Sequence, residues 1–270
     1  MSATGDAELL VAARAALLDA LAALEAQRDA LILIGAQAIY LHTGAAQVAL
    51  AETTKDSDIA VDPRALRGNP RLEEAMEGAG FRPDPDAPQP GAWINRDGIP
   101  VDLMVPASQA SGGRGARIPP HSKKATRRAT GLEGAVVDHE PLPIRSLDHD
   151  DDREFVVKVA GPAALLVAKL HKIGDRRHDA DRLVDKDAHD IYRLLVAVPT
   201  ERMAERLTML RSHEISADAA EQAIVLLGEL FGDADALGAQ MAGRAETLVG
   251  DPEVVAAASA ALAGDLLGAL

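Results

Sequence analysis

Cysteine is absent from the 270 residues. That excludes disulfides, iron–sulfur clusters, cysteine-ligated zinc and a thiol nucleophile, and it suits a cytoplasmic chain. Aromatic residues are scarce at 2%, with one Trp, two Tyr and three Phe. The core must therefore be built from Ala, Leu, Val and Ile, and too few rings remain for a base-stacking surface. No apolar run approaches the ~20 residues that span a bilayer. The N-terminal MSATGDAELLVAARAALL lacks the basic start and unbroken apolar stretch of a secretory signal, so no membrane partner is expected. Positive charge is outnumbered, 28 Lys and Arg against 42 Asp and Glu, for a net charge of −14. Taken alone, this argues against a general nucleic-acid binder.

What is present is a globular composition, 47% hydrophobic, in a chain long enough for one large or two modest domains. The acidity reverses locally. Between Ser111 and Leu132 the cations Arg114, Arg117, Lys123, Lys124, Arg127 and Arg128 occur with His121 and no acid. Such a run is either a solvated loop or a docking surface for a polyanion, and composition does not choose between them.

Apolar spacing predicts a helix over 7–27, then a strand at Leu31-Ile32-Leu33-Ile34 whose continuous run marks burial on both faces. Gly35 ends it and a short helix follows over 36–42. A strand is expected at 58–61, a helix over 71–79, and a hairpin of 92–95 and 99–105 around Asp97-Gly98. A further strand is expected at 155–159. After Gly161-Pro162 the pattern is helical, over about 162–173, 186–197, 200–211, 217–230 and 252–268. The chain thus reads as α+β, a mixed domain over 1–160 followed by an all-helical domain over 161–270.

The chemistry-bearing residues are acidic. Asp56 and Asp58 are two apart, so in extended backbone they share a face. Asp102 lies inside an apolar run, where a lone charge must be paired or bound to metal. If its strand lies beside that of Asp58, three carboxylates converge, a set that suits Mg²⁺ with phosphate oxygens and water.

A strand ending in Gly35-Ala36, then Thr54-Lys55-Asp56-Ser57-Asp58, then Asp102 on a later strand resembles the nucleotidyltransferase fold related to DNA polymerase β. "TTKDSDIAV" is similar to the first signature of the AbiEii-type (MenT-type) nucleotidyltransferase toxins. The helix around Lys169-Leu170, with Lys186-Asp187-Ala188-His189-Asp190 after it, resembles that family's second signature. The resemblance covers roughly residues 29–195. It implies a mixed sheet flanked by helices, followed by a helical C-terminal domain. It further implies Asp56, Asp58 and Asp102 as ligands of Mg²⁺ or Mn²⁺, with Asp102 the base or the second-metal ligand for the attacking hydroxyl.

In the same resemblance Gly35 permits close backbone approach, and the amides of Ala36 and Gln37 face the triphosphate of an NTP. Lys169 or Lys172 contacts phosphate, and Asp187 orients the lysine or the nucleotide, with Asp190 one turn away. Ala36 departs from the family, which has Gly or Ser there; alanine supplies an amide but no hydroxyl. His171, His178 and His189 make no close helical pair and are read as surface or phosphate-adjacent groups, not as a zinc site.

The expected activity is metal-dependent transfer of NMP from NTP to an acceptor hydroxyl, releasing pyrophosphate. The resemblance implies tRNA as acceptor and a toxin's role, with a cognate antitoxin protein as partner. Arg114, Arg117, Lys123, Lys124, Arg127 and Arg128 would then hold the acceptor. Thr54, beside Asp56, would be a regulatory position, since a phosphate there would repel the triphosphate. Two alternatives remain: an aminoglycoside-type enzyme with a cationic small-molecule acceptor, which the acidic charge suits, and an inactive nucleotide-binding scaffold, which Ala36 motivates.

Overall fold

The computed structural model describes residues 3–44, 56–87, 89–247 and 250–270. The chain divides into two compact units. One comprises Met1–Gln37, Thr53–Ala129 and His139–Ala160; the other comprises Ala38–Glu52, Thr130–Asp138 and Gly161–Leu270. Position 54 lies outside the described residues.

The first unit is built on one open, mixed sheet. Strand β1 (Leu31–Ile34) is central: β2 (Ser57–Val61) pairs with it antiparallel and β8 (Glu154–Ala160) parallel. Both of its edges are filled, and all four residues are buried, which is why its sequence is apolar without alternation. Beyond β2 lies β5 (Pro100–Pro106), parallel to it. Two strands share the far edge of β5. The antiparallel β4 (Ala92–Ile94) lies beside Pro100–Asp102, and the parallel β6 (Arg127–Ala129) lies beside Met104–Pro106. The short β3 (Arg82–Pro83) pairs with β4, and β7 (His139–Arg145) closes the other side against β8.

Helix α1 (Ala3–Ala23) packs on this sheet against β2, β5 and β8, and α3 (Leu72–Gly78) packs on α1. Helix α1 ends earlier than its apolar spacing predicts, because Glu25–Ala30 tightens into a 3₁₀ turn that delivers the chain to β1. Leu17, Leu18 and Leu24 are fully buried, as are Ile32, Ile59 and Leu103 from the sheet. Burying one such side chain contributes about 1.5–3 kcal/mol.

The second unit is helical wherever its elements are described. Helix α2 (Gly35–Thr43) begins in the first unit and continues into it. Then follow α4 (Pro162–Gly174), α5 (Asp185–Ala197), α6 (Thr200–Ser212), α7 (Ala217–Phe231), α8 (Leu237–Ala245) and α9 (Pro252–Gly268). Pro162 stands at the first turn of α4, where its missing N–H costs nothing. Helix α4 packs against α5, α6 and α7, α5 against α8, and α8 against α9, around Leu166, Leu170, Ile191, Leu194, Leu227 and Phe231. The sequence pattern locates these helices apart from α8. No helix of the described residues is long and apolar enough to cross a membrane.

Candidate active site

The acidic residues of the first unit are placed by strand register. β2 and β5 run parallel with Asp58 directly opposite Asp102, so both side chains project from one face of the sheet on neighbouring strands. Both are partly exposed. Asp58 also stands opposite Ile34, the last residue of β1, across the antiparallel ladder. The next residue, Gly35, has φ 71°, and a β-carbon there would lie 2.2 Å from Oδ2 of Asp58. Only glycine lets the turn from β1 into α2 pass this carboxylate. Ala36 and Gln37 form the first turn of α2, whose amide groups lack helical acceptors.

Gln37 has a second role that sequence reasoning missed. Its side chain is 1% exposed. Its Nε2 donates to Ser57 Oγ (2.6 Å), and its Oε1 accepts from Arg14 Nε (2.8 Å). Ser57 Oγ in turn donates to the Ala13 carbonyl (3.0 Å), and Arg14 Nη1 to the Arg145 carbonyl (2.8 Å). This buried chain ties α1, the start of α2 and the start of β2 together, and so fixes Gly35 against Asp58. Burial lowers the Arg14 pKa, so its hydrogen bonds must compensate for lost water.

Of the three carboxylates expected to converge, Asp58 and Asp102 stand opposite one another. Asp56 is exposed, just ahead of β2, and among the described residues no three His, Cys, Asp or Glu side chains lie close enough to hold one metal ion. Two facing carboxylates repel and favour a cation beside them. The cation is Arg127, whose Nη1 pairs with Asp102 Oδ2. Arg127 is placed by β6, where its backbone faces Met104 of β5. The donor set nevertheless fits Mg²⁺, which commonly takes one or two protein carboxylates and fills its remaining positions with substrate phosphates and water.

The basic segment is pinned by backbone hydrogen bonds. Arg117 N–H donates to the Ser111 carbonyl (2.8 Å), Arg128 N–H to Arg114 (2.9 Å) and Ala116 N–H to Thr126 (3.1 Å). Its cations divide into two groups. Arg128 is turned inward, donating to the carbonyls of Ala107 (2.6 Å) and Gly112 (2.7 Å), and Arg127 is held by Asp102. Arg114, Arg117, Lys123 and Lys124 are exposed and line an open cleft of about 720 Å³ with Pro90, Pro119 and Pro120. His121 reaches the same cleft but is buried, accepting from Leu72 N–H through Nδ1 (3.1 Å) at the start of α3; burial lowers its pKa.

In the second unit α4 and α5 bring the other expected residues together. Lys169 Nζ lies 2.7 Å from both Asp187 Oδ1 and Asp190 Oδ2. Lys172 also reaches Asp187 (2.8 Å), with Arg176 at 3.7 Å, and Lys186 lies 3.7 Å from Asp190. Burial alone would lower the Lys169 pKa, but the two carboxylates outweigh it and hold the ammonium above its ordinary value. Burial likewise opposes ionisation of Asp187, and Lys169 and Lys172 hold it below the usual carboxylate range. The Lys169 side chain is 9% exposed and that of Lys172 43%. Lys186 and Arg193 also lie over the Tyr40 ring, 5.7 and 5.4 Å from its centre. The histidines are corrected in part. His171 is buried and bonded to the Ala219 carbonyl (2.8 Å), and His189 is buried against Glu246 (2.6 Å); neither is a surface group.

No curated protein and no solved structure matches the chain. A family model described as nucleotidyltransferase matches residues 12–212, a span that begins in α1, takes in Gly35, Asp58 and Asp102, and runs to the end of α6. The chain belongs to this nucleotidyltransferase family and is an enzyme of nucleotidyl transfer.

Proposed function

We propose that the protein transfers NMP from a divalent-metal-bound NTP to a hydroxyl of an RNA acceptor, tRNA in particular, and acts as the toxin of a toxin–antitoxin pair in the cytoplasm. The observation that carries the chemistry is the register of β2 and β5, which sets Asp58 opposite Asp102 beside the glycine turn into α2. Asp58 and Asp102 would hold Mg²⁺ or Mn²⁺, with Asp56 close in sequence as a ligand for a loaded site. The ion would supply charge neutralisation of the triphosphate in the transition state. Asp102 would take the proton of the acceptor hydroxyl. The first amides of α2 would receive phosphate oxygens through their unpaired N–H groups.

In the second unit, Lys172 and Arg176 are the residues suited to phosphate, because the first is exposed and the second partly so, whereas Lys169 is buried. Lys169, Asp187 and Asp190 are suited to holding α4 on α5. The acceptor reading rests on the cleft of Arg114, Arg117, Lys123 and Lys124, a cationic surface on an otherwise acidic chain. A cationic small-molecule acceptor is favoured by the net charge alone, and these four side chains would repel it.

The test is incubation with each of four labelled NTPs and total RNA, with and without Mg²⁺, alongside an aminoglycoside in place of RNA. Label entering tRNA in a metal-dependent way, and lost in Asp58→Asn, is expected. Label on the aminoglycoside, or none on either, would reject the RNA reading. Growth arrest on induction, absent with Asp58→Asn, is the matching cellular readout.

A further inference from the structure

Asp102 already has a cation in the chain itself. Arg127 and Asp102 lie on adjacent strands, two register positions apart, since Met104 is the residue opposite Arg127. The placement of Arg127 is tightly built. Its strand is held by β5 on one side and bridges Gly115 on the other. Gly91, with φ 79°, packs so closely behind that a β-carbon there would lie 2.6 Å from the Arg127 backbone nitrogen and 2.3 Å from the Leu103 carbonyl oxygen. Yet the ion pair is not sealed from solvent, with 23% of the Arg127 side chain and 14% of that of Asp102 exposed. A pair that water reaches is screened and contributes little, so breaking it costs little.

We propose that Arg127 is a resident cation that occupies Asp102 until a divalent ion displaces it, and that it thereby sets how tightly the carboxylate pair binds that ion. This rests on the metal-dependent reading above. Asp58 and Asp102 stand opposite one another and repel; Arg127 relieves that repulsion. An incoming divalent ion needs the same carboxylate oxygens, so the guanidinium and the metal compete for one position. Once displaced, the guanidinium is a planar, five-donor fork suited to a phosphate. It lies on the segment whose other end lines the basic cleft. Arg127 is thus a positioning residue acting through Asp102.

The test is Mn²⁺ binding to the nucleotide-free protein, followed by electron paramagnetic resonance of the free ion, for wild type, Arg127→Gln, Arg127→Lys and Arg127→Gln with Asp102→Asn. Arg127→Gln is expected to bind Mn²⁺ about tenfold more tightly, the effect of removing one like charge beside the site. Arg127→Lys should stay near wild type, and the double variant should lose the gain. Unchanged or weaker binding by a folded Arg127→Gln overturns the proposal, and if wild type and variant both still transfer nucleotide, the enzymatic reading stands without it. No Mn²⁺ binding by any form, with or without NTP, overturns both. Should Arg127→Gln not fold, the wild type decides. Its Arg127 Nε–H resonance, assigned by its loss in Arg127→Lys, should shift as Mg²⁺ is added, and no shift overturns the proposal.

Discussion

Gly35 and Asp58 compete for one space: a β-carbon on residue 35 would lie 2.2 Å from the Asp58 carboxylate oxygen. Gly35→Ala would meet that clash and a φ of 71° at once. The left-handed backbone alone costs about 1–2 kcal/mol for a residue with a side chain. Relief of the clash must move Asp58, and a displacement of about 1 Å at a reacting centre can cost about 100-fold in rate. Thermal unfolding should show a lowered midpoint, and nucleotide transfer by the folded fraction should drop by about that factor. Wild-type turnover by Gly35→Ala would mean that the position of Asp58 is not critical.

Lys169 is the buried centre of the α4–α5 contact, and its removal takes from Asp187 and Asp190 the cation they share, leaving Asp187 to Lys172 and Arg176 and Asp190 to Lys186 at 3.7 Å. Lys169→Met is expected to destabilise the protein by about 3–5 kcal/mol, as breaking one side of a buried pair does. Lys172→Ala, whose partner keeps Lys169, should cost under about 1 kcal/mol while lowering activity. The acid limb follows from Asp187, whose pKa is lowered in the fold. Its stabilisation is present above its unfolded value and is lost as pH falls below about 5. Lys169, raised in the fold, adds the mirror limb, lost as pH rises past its unfolded value. Urea unfolding from pH 3 to 7 should show a smaller acid loss in Asp187→Asn than in wild type.

The apolar core strand, the glycine turn and the acid inside an apolar run were legible because each is carried by a short pattern, Leu-Ile-Leu-Ile, then Gly, then Asp102 between apolar neighbours, whereas the pairing of Asp102 with Asp58 was only a condition until the register of β2 on β5 supplied it. Strand β7 was hidden by Pro141 and Pro143. Both are tolerated because β7 is an edge strand paired only with β8, so a missing donor on its free side breaks no ladder. Helix α8 was hidden by Gly238 and Gly243, which look like breakers. A β-carbon at Gly238 would lie 2.5 Å from the Phe231 ring, and one at Gly243 2.4 Å from the Pro252 carbonyl, so these glycines serve close packing. The Arg127–Asp102 pair was not legible, because the register of β6 on β5 joins positions 25 apart in sequence. Periodicity placed Lys169 on a helix but carried no measure of its depth.

The cations of the basic segment should separate by assay. Replacing Lys123 and Lys124 with Ala removes exposed charge from the cleft and leaves the fold intact. Activity on RNA should fall, and the dependence of log kcat/KM on log salt should flatten by about 0.7–0.9 for each phosphate that is no longer neutralised. Arg128→Ala should do the reverse. It removes donors to the Ala107 and Gly112 carbonyls, costing about 1–3 kcal/mol of stability with the salt slope unchanged. Equal salt slopes for wild type and the double lysine variant would remove the cleft from the acceptor's path.

Gln37 offers a way to separate the positioning of the turn from its amide groups. Gln37→Leu keeps the backbone N–H at the start of α2 and fills similar volume, but breaks the chain from Arg14 to Ser57. Arg14 is then left buried with one partner fewer, and Ser57 Oγ loses its donor, for an expected loss of about 2–4 kcal/mol. Ser57→Ala removes one acceptor and leaves the Arg14–Gln37 bond, so it should cost less, about 1–2 kcal/mol. If the network holds Gly35 against Asp58, both variants should lose turnover in proportion to their lost stability, while Mn²⁺ affinity, which the proposed function assigns to Asp58 and Asp102, should fall in Gln37→Leu by a smaller factor than in Asp58→Asn. A stable Gln37→Leu with full activity would show that the turn is held by the sheet alone. Full stability with no nucleotide binding would place the Gln37 side chain at the ligand.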